Sequence, residues 1–457
     1  MSDTSVTPTG LGTDDPEYAA NLRRATLAST VGSALEYYDF ALYGLASALI
    51  FSKLFFSNLD PSTALVASFA TFGVGFVARP LGGLFFGTIG DKLGRKWVLI
   101  VTILLMGGSS TLVGALPTYE TVGIWAPILL VFLRLCQGFG AGAEQAGSTV
   151  LMAEYSPVRR RGFFAALPFI GIQAGTLLAA MVFVYLGTIP QDLLLGWVWR
   201  IPFLASILLI AVALFIRMKL RESPTFIVLE KQEQIAEHPL REIFGHSLPS
   251  VLRGIGLRMA ENGGSYLFNS LAVAFATGTI GVSRSIGPIA VAVGSFIGML
   301  SVPLAGHISD RVGRVPVYRF GAGVLVLLAF PAWYLISLGQ PWLVIVVIAV
   351  CIGFGVNTML GAQCALLPEM FGNQHRYLGV AVSREFSAVI AGGLAGVLGA
   401  VLIAKFDGSW VPLGAYTFVL AVITFGTTFI ATETKARDLT RVEDALDDKR
   451  AGLVDAP

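Results

Sequence analysis

Four small groups of polar and charged residues interrupt segments that are otherwise apolar. Glu36 and Asp39 stand three residues apart, on one face of a helix. Arg134 has Gln137 one turn on. Arg258, Glu261, Asn262 and Tyr266 fall within a third segment, and Arg384 and Glu385 within a fourth. Carboxylates carry protons, arginine grips a carboxylate through two parallel N–H bonds, and amides and phenols orient a ligand by hydrogen bonding. If these segments cross a bilayer, an ionisable group at the centre costs at least about 2.5–3.5 kcal/mol. Such groups must then pair, line a wet cavity, or take up and release protons.

Glu36 and Asp39 are too close to ionise together cheaply in a low dielectric, so one should hold a proton, as a proton carrier requires. At ~1.5 Å per residue they sit about 18–22 Å along their segment, near its middle. The plainer expectation is that each pairs with a base for folding alone. Arg134 either serves proton coupling or is the structural counter-ion of Glu36 or Asp39. Arg258 and Glu261 are spaced to pair along one helix, with Asn262 and Tyr266 as neutral hydrogen-bonders suited to a midplane cavity. Glu385 lies on a different helix face from Arg384 and is poorly placed to pair with it. Arg384 and Arg258 are therefore the candidates to meet a substrate anion, with Tyr37 and Gln137 as further candidate substrate ligands. Arg200, flanked by Trp197 and Trp199, reads as an interfacial anchor. Arg79, beside Pro80 near a segment end, is expected to brace the adjoining loop, with substrate contact as the alternative. Glu144 fits a helix contact or a cavity role equally.

The elements that carry these residues follow from hydropathy. Of 457 residues, 55% are hydrophobic and 13% charged, against about 25% charged in a soluble domain. An apolar surplus of this size needs lipid. A bilayer core needs roughly 20 helical residues per crossing. Spans are expected near 25–51, 64–89, 97–116, 124–150, 163–187, 198–218, 249–278, 286–307, 317–338, 341–365, 377–404 and 411–431. The first is too long, and its leading residues too acidic, for a cleaved signal peptide. With both termini cytoplasmic, the outer loops hold only Lys53, Arg284 and Lys405, and the remaining loop lysines and arginines are inside. An odd number of spans would destroy that asymmetry.

A charged stretch at 217–250 divides the chain in half. The expected organisation is a cytoplasmic tail 1–24, a six-helix bundle 25–216, a cytoplasmic linker 217–250, a second six-helix bundle 251–431 and a cytoplasmic tail 432–457. The halves repeat. Gly87-Thr-Ile-Gly-Asp91-Lys-Leu-Gly94-Arg95-Lys96 follows the second span, and Gly306-His-Ile-Ser-Asp310-Arg-Val-Gly313-Arg314 follows the eighth. Matched loops at matched places argue for internal duplication, a common plan of secondary transporters. The fold class is thus an all-α membrane protein of twelve transmembrane helices in two pseudo-symmetric bundles.

The paired G-x-x-x-D-[KR]-x-G-R loops resemble the signature of the major facilitator superfamily. Further segments resemble its metabolite:proton symporters: Glu36-Tyr-Tyr-Asp39-Phe, Ala78-Arg-Pro-Leu-Gly-Gly, Arg134-Leu-Cys-Gln-Gly-Phe-Gly-Ala-Gly-Ala-Glu144, Glu154-Tyr-Ser-Pro-Val-Arg-Arg-Arg-Gly162, Trp199-Arg-Ile-Pro-Phe203 and Arg221-Glu-Ser-Pro224. These matches run from about residue 25 to 430. The resemblance implies that Gly87, Asp91, Gly94, Arg95, Gly306, Asp310, Gly313 and Arg314 form a cytoplasmic latch that closes in the outward-open state. It also implies that Arg134 takes part in proton coupling. The second loop has Val315 where the first has Lys96, so its latch should be the weaker. The family includes carriers of shikimate, 2-oxoglutarate, citrate, aromatic acids, and proline or betaine.

The expected function is secondary active, proton-coupled uptake of a small organic anion, a carboxylate metabolite, by alternating access in the cell membrane. The alternative is a carrier of a zwitterionic solute such as proline or betaine. A proton travelling with an anion offsets the cost of moving it against an inside-negative potential, about 2.3 kcal/mol per charge per 100 mV. No P-loop, HExxH or usable GxSxG occurs, and neither Cys136, Cys351 and Cys364 nor the four histidines have metal spacing. No enzyme activity and no metal or cofactor is expected, the proton being the coupling ion. A net charge of +2 gives no reason to expect nucleic acid. The expected partners are the bilayer and a small molecule, with the chain acting as a monomer.

Overall fold

The computed structural model describes residues 16–93, 95–142, 144–218, 247–373, 376–439, 441 and 443–450, with the backbone alone at 16–19, 21, 25, 28, 87–93, 95–99, 144–146, 209, 213, 215–218 and 449–450. Most of the 217–250 linker, the first 15 residues, the last seven and Gly94 lie outside the described residues, as do the side chains at Gly87, Asp91, Arg95 and Glu144.

Twelve helical rods account for nearly all of the described chain. They are α1 Pro16–Ala46, α2 Pro61–Leu93, α3 Arg95–Ala115, α4 Trp125–Ala141, α5 Val158–Gly187 and α6 Arg200–Met218 in the first half. The second half has α7 Leu248–Tyr266, α8 Ile286–Val312, α9 Arg314–Ser337, α10 Pro341–Met370, α11 Arg376–Lys405 and α12 Val411–Ile430. Among the described residues no strand occurs. Seven of these rods, α2 (over Pro61–Phe86), α5 and α8–α12, are by themselves long and apolar enough to cross a membrane. The others carry the charged groups in α1 and α7, or are shorter apolar helices extended by a second piece. Thus α4 continues as Glu144–Tyr155, and α7 continues through wide π-type turns to Thr279.

Local chemistry explains several boundaries. Asp60 accepts the Ser62 hydroxyl and the N–H groups of Ser62 (3.1 Å) and Thr63 (3.0 Å) and so caps α2; these bonds, the hydroxyl's first, hold its carboxyl below the usual carboxylate range. Gly313 turns the chain between α8 and α9 with φ +110°, which a side chain would strain. Helix α1 begins at Pro16, well before the expected start near 25, because Leu22 buries itself against Met152 instead of ending in a free tail.

Helices cross at small residues, as lipid requires where no hydrophobic force draws them together. A Cβ on Gly138 of α4 would overlap the Gly75 carbonyl of α2, and one on Gly171 of α5 would overlap the Thr30 carbonyl of α1. The outward surface is apolar: Leu327, Leu208, Leu300 and Phe320 are all more than half exposed, which suits hydrocarbon and not water. The two halves meet along two seams, α2 against α11 and α5 against α8.

Candidate functional site

A cavity lies between the halves, lined from α1 by Tyr37 and Phe40, from α5 by Gln173, and from the second half by Tyr266, Asn269 and Asn357. Gln173 donates to Asn357 across it at 2.7 Å. Tyr266 sets its ring edge-on to Phe72 and Phe76 of α2. Four of the cavity's second-half residues, Asn269, Ser270, Ile352 and Val356, fall in π-type turns, where an extra residue per turn redirects side chains.

Beside this cavity lies a set of buried charges. Arg79 joins three helices: its Nε donates to Glu385 of α11 at 3.0 Å, and its Nη2 stands 3.5 Å from Glu36 of α1. Its guanidinium lies 5.0 Å from the centre of the Phe40 ring. Arg79 is therefore an interior bridge between the bundles and not a brace for the adjoining loop, as its sequence neighbours suggest. The reason is that α2 runs deep past Pro80, and Gly142 of α4 lets that helix close against the Arg79 carbonyl.

Glu36 and Asp39 share a face but not a partner. Asp39 accepts from Ser206 at 3.0 Å, with Ser110 also in hydrogen-bond reach. Ser110 in turn accepts from Gln137 at 2.6 Å, and Gln137 accepts from Arg134. A polar chain thus runs from Arg134 through Gln137 to Ser110, which stands beside Asp39 and donates its hydroxyl to the Met106 carbonyl at 3.2 Å. The Arg134 guanidinium is enclosed by aromatic faces, 4.7 Å from Phe40, 4.4 Å from Tyr43 and 4.8 Å from Phe72. Cation–π contacts of this kind strengthen on desolvation. Direct pairing of Arg134 with Glu36 does not occur; Arg79 takes that role.

In α7, Arg258 and Glu261 stand 3.1 Å apart, in ion-pair contact though not aligned for a hydrogen bond, and Arg258 Nε donates to Ser387 at 2.8 Å. Asn262 is buried and its Nδ2 makes no hydrogen bond among the described residues. Arg384 lies 5.8 Å from the Phe169 ring, and its neighbour Glu385 points elsewhere, to Arg79. Of the candidate substrate ligands Arg384, Arg258, Glu261, Asn262, Tyr266, Tyr37 and Gln137, only Tyr37 and Tyr266 line the cavity. Gln173 and Asn357 went unnoticed in the sequence, although lone amides within long apolar segments were the signal for them. Arg200 donates to the carbonyl of Gly114 at 3.0 Å, closing the end of α3.

At one end of the molecule the halves are locked. Asp310 accepts the main-chain N–H groups of Gly162 (2.8 Å) and Phe163 (2.9 Å) at the start of α5. Arg314 pairs with Asp310 at 2.7 Å and with Glu369 at 3.1 Å, and Arg161 of the first half reaches the same Glu369 at 2.9 Å. Arg376 pairs with Glu154 at 2.8 Å. Gly162 and Gly306 meet so closely that a Cβ on either would overlap the other's carbonyl. The tail adds to this end, since Glu433 accepts the N–H groups of Arg314 and Val315. Gly306, Asp310, Gly313 and Arg314 therefore form one side of a closed seam. Their counterparts Gly87, Asp91, Gly94 and Arg95 lie outside what the structure describes at side-chain level.

Comparison with known proteins agrees with this architecture. Residues 25–252 match the sugar (and other) transporter family, and residues 255–454 match the major facilitator superfamily. The shikimate transporter of Escherichia coli is 35% identical over 86% of this chain and 91% of its own length. The proline/betaine transporter of the same organism is 37% identical over 93% and 87%. A putative transporter, YdfJ, also from Escherichia coli, is 34% identical over 90% and 97%. In fold, the chain superposes on a proton:xylose symporter, XylE, with a TM-score of 0.72 at 19% identity, covering 93% of this chain and 98% of that one. Two six-helix halves joined along α2/α11 and α5/α8, matched over 86–93% of the chain by curated relatives, make this chain a member of the major facilitator superfamily, a membrane transporter and not an enzyme.

Proposed function

We propose that this transporter is a proton-coupled symporter that takes up a small organic anion, a carboxylate metabolite, by rocking its two bundles about the central cavity. Asp39, with Glu36, carries the proton, and Arg134 responds to it through the Gln137–Ser110 chain. Both termini face the cytoplasm, which the inside bias of lysine and arginine supports, so the closed latch lies on that side. The proton is the coupling ion, and one chain contains the whole path.

One observation carries the anion reading. Away from the latch, the buried charges of the spans balance among the described residues: Glu36, Asp39, Glu261 and Glu385 against Arg79, Arg134, Arg258 and Arg384. A single proton leaves this set one positive charge in excess, which one carboxylate cancels. The loaded interior is then neutral when it crosses the low-dielectric barrier, where an uncompensated charge is costly. The relative that transports shikimate, as its name states, fits this reading.

A zwitterionic solute is the second reading, favoured by the cavity wall. Tyr37, Phe40 and Tyr266 offer aromatic faces to a cation, and the proline/betaine transporter is an equally close relative. Uptake of shikimate and of glycine betaine into proteoliposomes, with and without an imposed pH gradient, tests both. Accumulation of the acid alone, dependent on the gradient, supports the anion reading. Accumulation of betaine alone selects the second, and accumulation of either without a gradient rejects proton coupling.

A further inference from the structure

Arg79 touches carboxylates from both halves of the transporter. Nε goes to Glu385 on α11 and Nη2 to Glu36 on α1, leaving Nη1 outside both pairs. All three side chains are buried, with 3%, 5% and 0% exposure for Arg79, Glu385 and Glu36. The trio holds two acids and one base. Two carboxylates thus share one guanidinium, an arrangement that can serve an exchange of partners.

The position of the trio indicates the entering partner. Arg79 packs on Phe40, and Tyr37 and Tyr266 lie within its electrostatic reach; all three residues line the central cavity. The guanidinium therefore lies one side chain behind the cavity wall, against Phe40, and a ligand resting in the cavity reaches it by passing that ring. Two other buried arginines are engaged elsewhere. Arg258 is held by Glu261 and Ser387, and Arg134 is enclosed by rings and Gln137.

The geometry points to Arg79 as the residue that binds the substrate's carboxylate, and to Glu385 as a tethered stand-in that occupies it until substrate arrives. Glu36 remains on Arg79 from the same bundle and orients it. The incoming carboxylate replaces Glu385, so binding also severs the one ion pair that joins α2 to α11 among the described residues. Substrate occupancy thereby loosens the seam that must open when the bundles rock. This inference rests on the proposed function only in requiring a substrate with a carboxylate, which an organic anion and a betaine share.

The test is ligand-dependent thermal stabilisation of the purified full chain, with shikimate and glycine betaine as probes. Glu385→Gln removes the tethered competitor and should lower the apparent Kd of the bound probe about tenfold. Glu385→Asp, which is shorter but still charged, should give a smaller gain in the same direction. Arg79→Lys keeps the charge but loses the fork, and should weaken binding at least tenfold. Were the pair only structural, both Glu385 variants would bind equally or more weakly, and that result overturns the assignment while the symporter reading stands. Wild-type affinity in Arg79→Lys would overturn it as well. If the wild type binds neither probe and no other small carboxylate, the proposed substrate class fails and this site fails with it.

Discussion

Arg161 of α5 and Glu369 of α10 stand 2.9 Å apart across the seam between the bundles, and both are buried. Glu369 also takes Arg314 and the hydroxyl of Thr434, so one carboxylate gathers the first bundle, the second bundle and the tail. Removing one partner of a buried ion pair costs about 3–5 kcal/mol, enough to move a two-state equilibrium by more than about 100-fold. Glu369→Gln should therefore shift the protein toward the state open at this end. With the three native cysteines replaced by alanine and Thr176→Cys placed in the cavity wall, alkylation from the latch side should speed up at least tenfold. An unchanged rate would mean that Asp310 with its N–H partners and the Arg376–Glu154 pair hold the seam without Glu369.

Asp39→Asn should abolish accumulation driven by a pH gradient while leaving substrate exchange at equal pH. The basis is its burial and its link through Ser110 and Gln137 to Arg134. Counterflow and gradient-driven uptake measured on the same vesicles separate the two. Concentrative uptake at the wild-type level would remove Asp39 from the proton path.

Asn357→Ala should raise the KM for transport severalfold and reduce the maximal exchange rate less. Its amide accepts from Gln173 across the cavity, and the lost bond leaves Gln173 without its acceptor, a penalty of about 1–3 kcal/mol. Initial-rate kinetics over a range of substrate concentrations decides this. A lower maximal rate at unchanged KM would assign the pair to the rocking motion instead of the ligand.

Gly138→Ala should lower thermal stability sharply, because its Cβ has no room against the Gly75 carbonyl, and overpacking of this kind costs about 1–3 kcal/mol. Gly426→Ala, with no atom within 4 Å of the added carbon, should leave the midpoint unchanged. Melting curves followed by size-exclusion fluorescence compare the two. Equal midpoints would show that α2 and α4 can separate without penalty.

Hydropathy alone determined where the chain crosses the bilayer, because a length of apolar residues has no other solvent. Most of the twelve expected segments lie within a few residues of the rods observed. The Asp310 loop was readable too, since a tight turn and a helix-end acceptor need Gly313 and an acid at fixed spacing, whatever surrounds them. The pair Arg258 and Glu261 was legible for a similar reason, being one turn apart on a single helix. What the sequence did not contain was which charge meets which across helices. Glu36 stands beside Asp39 in the chain yet pairs with Arg79, and Glu385 stands beside Arg384 yet reaches the same arginine, 306 residues away. Those partners were chosen by how α1, α2 and α11 pack, through glycines that let backbones touch. A buried charge takes the nearest opposite charge in space, and only the tertiary structure decides which one that is.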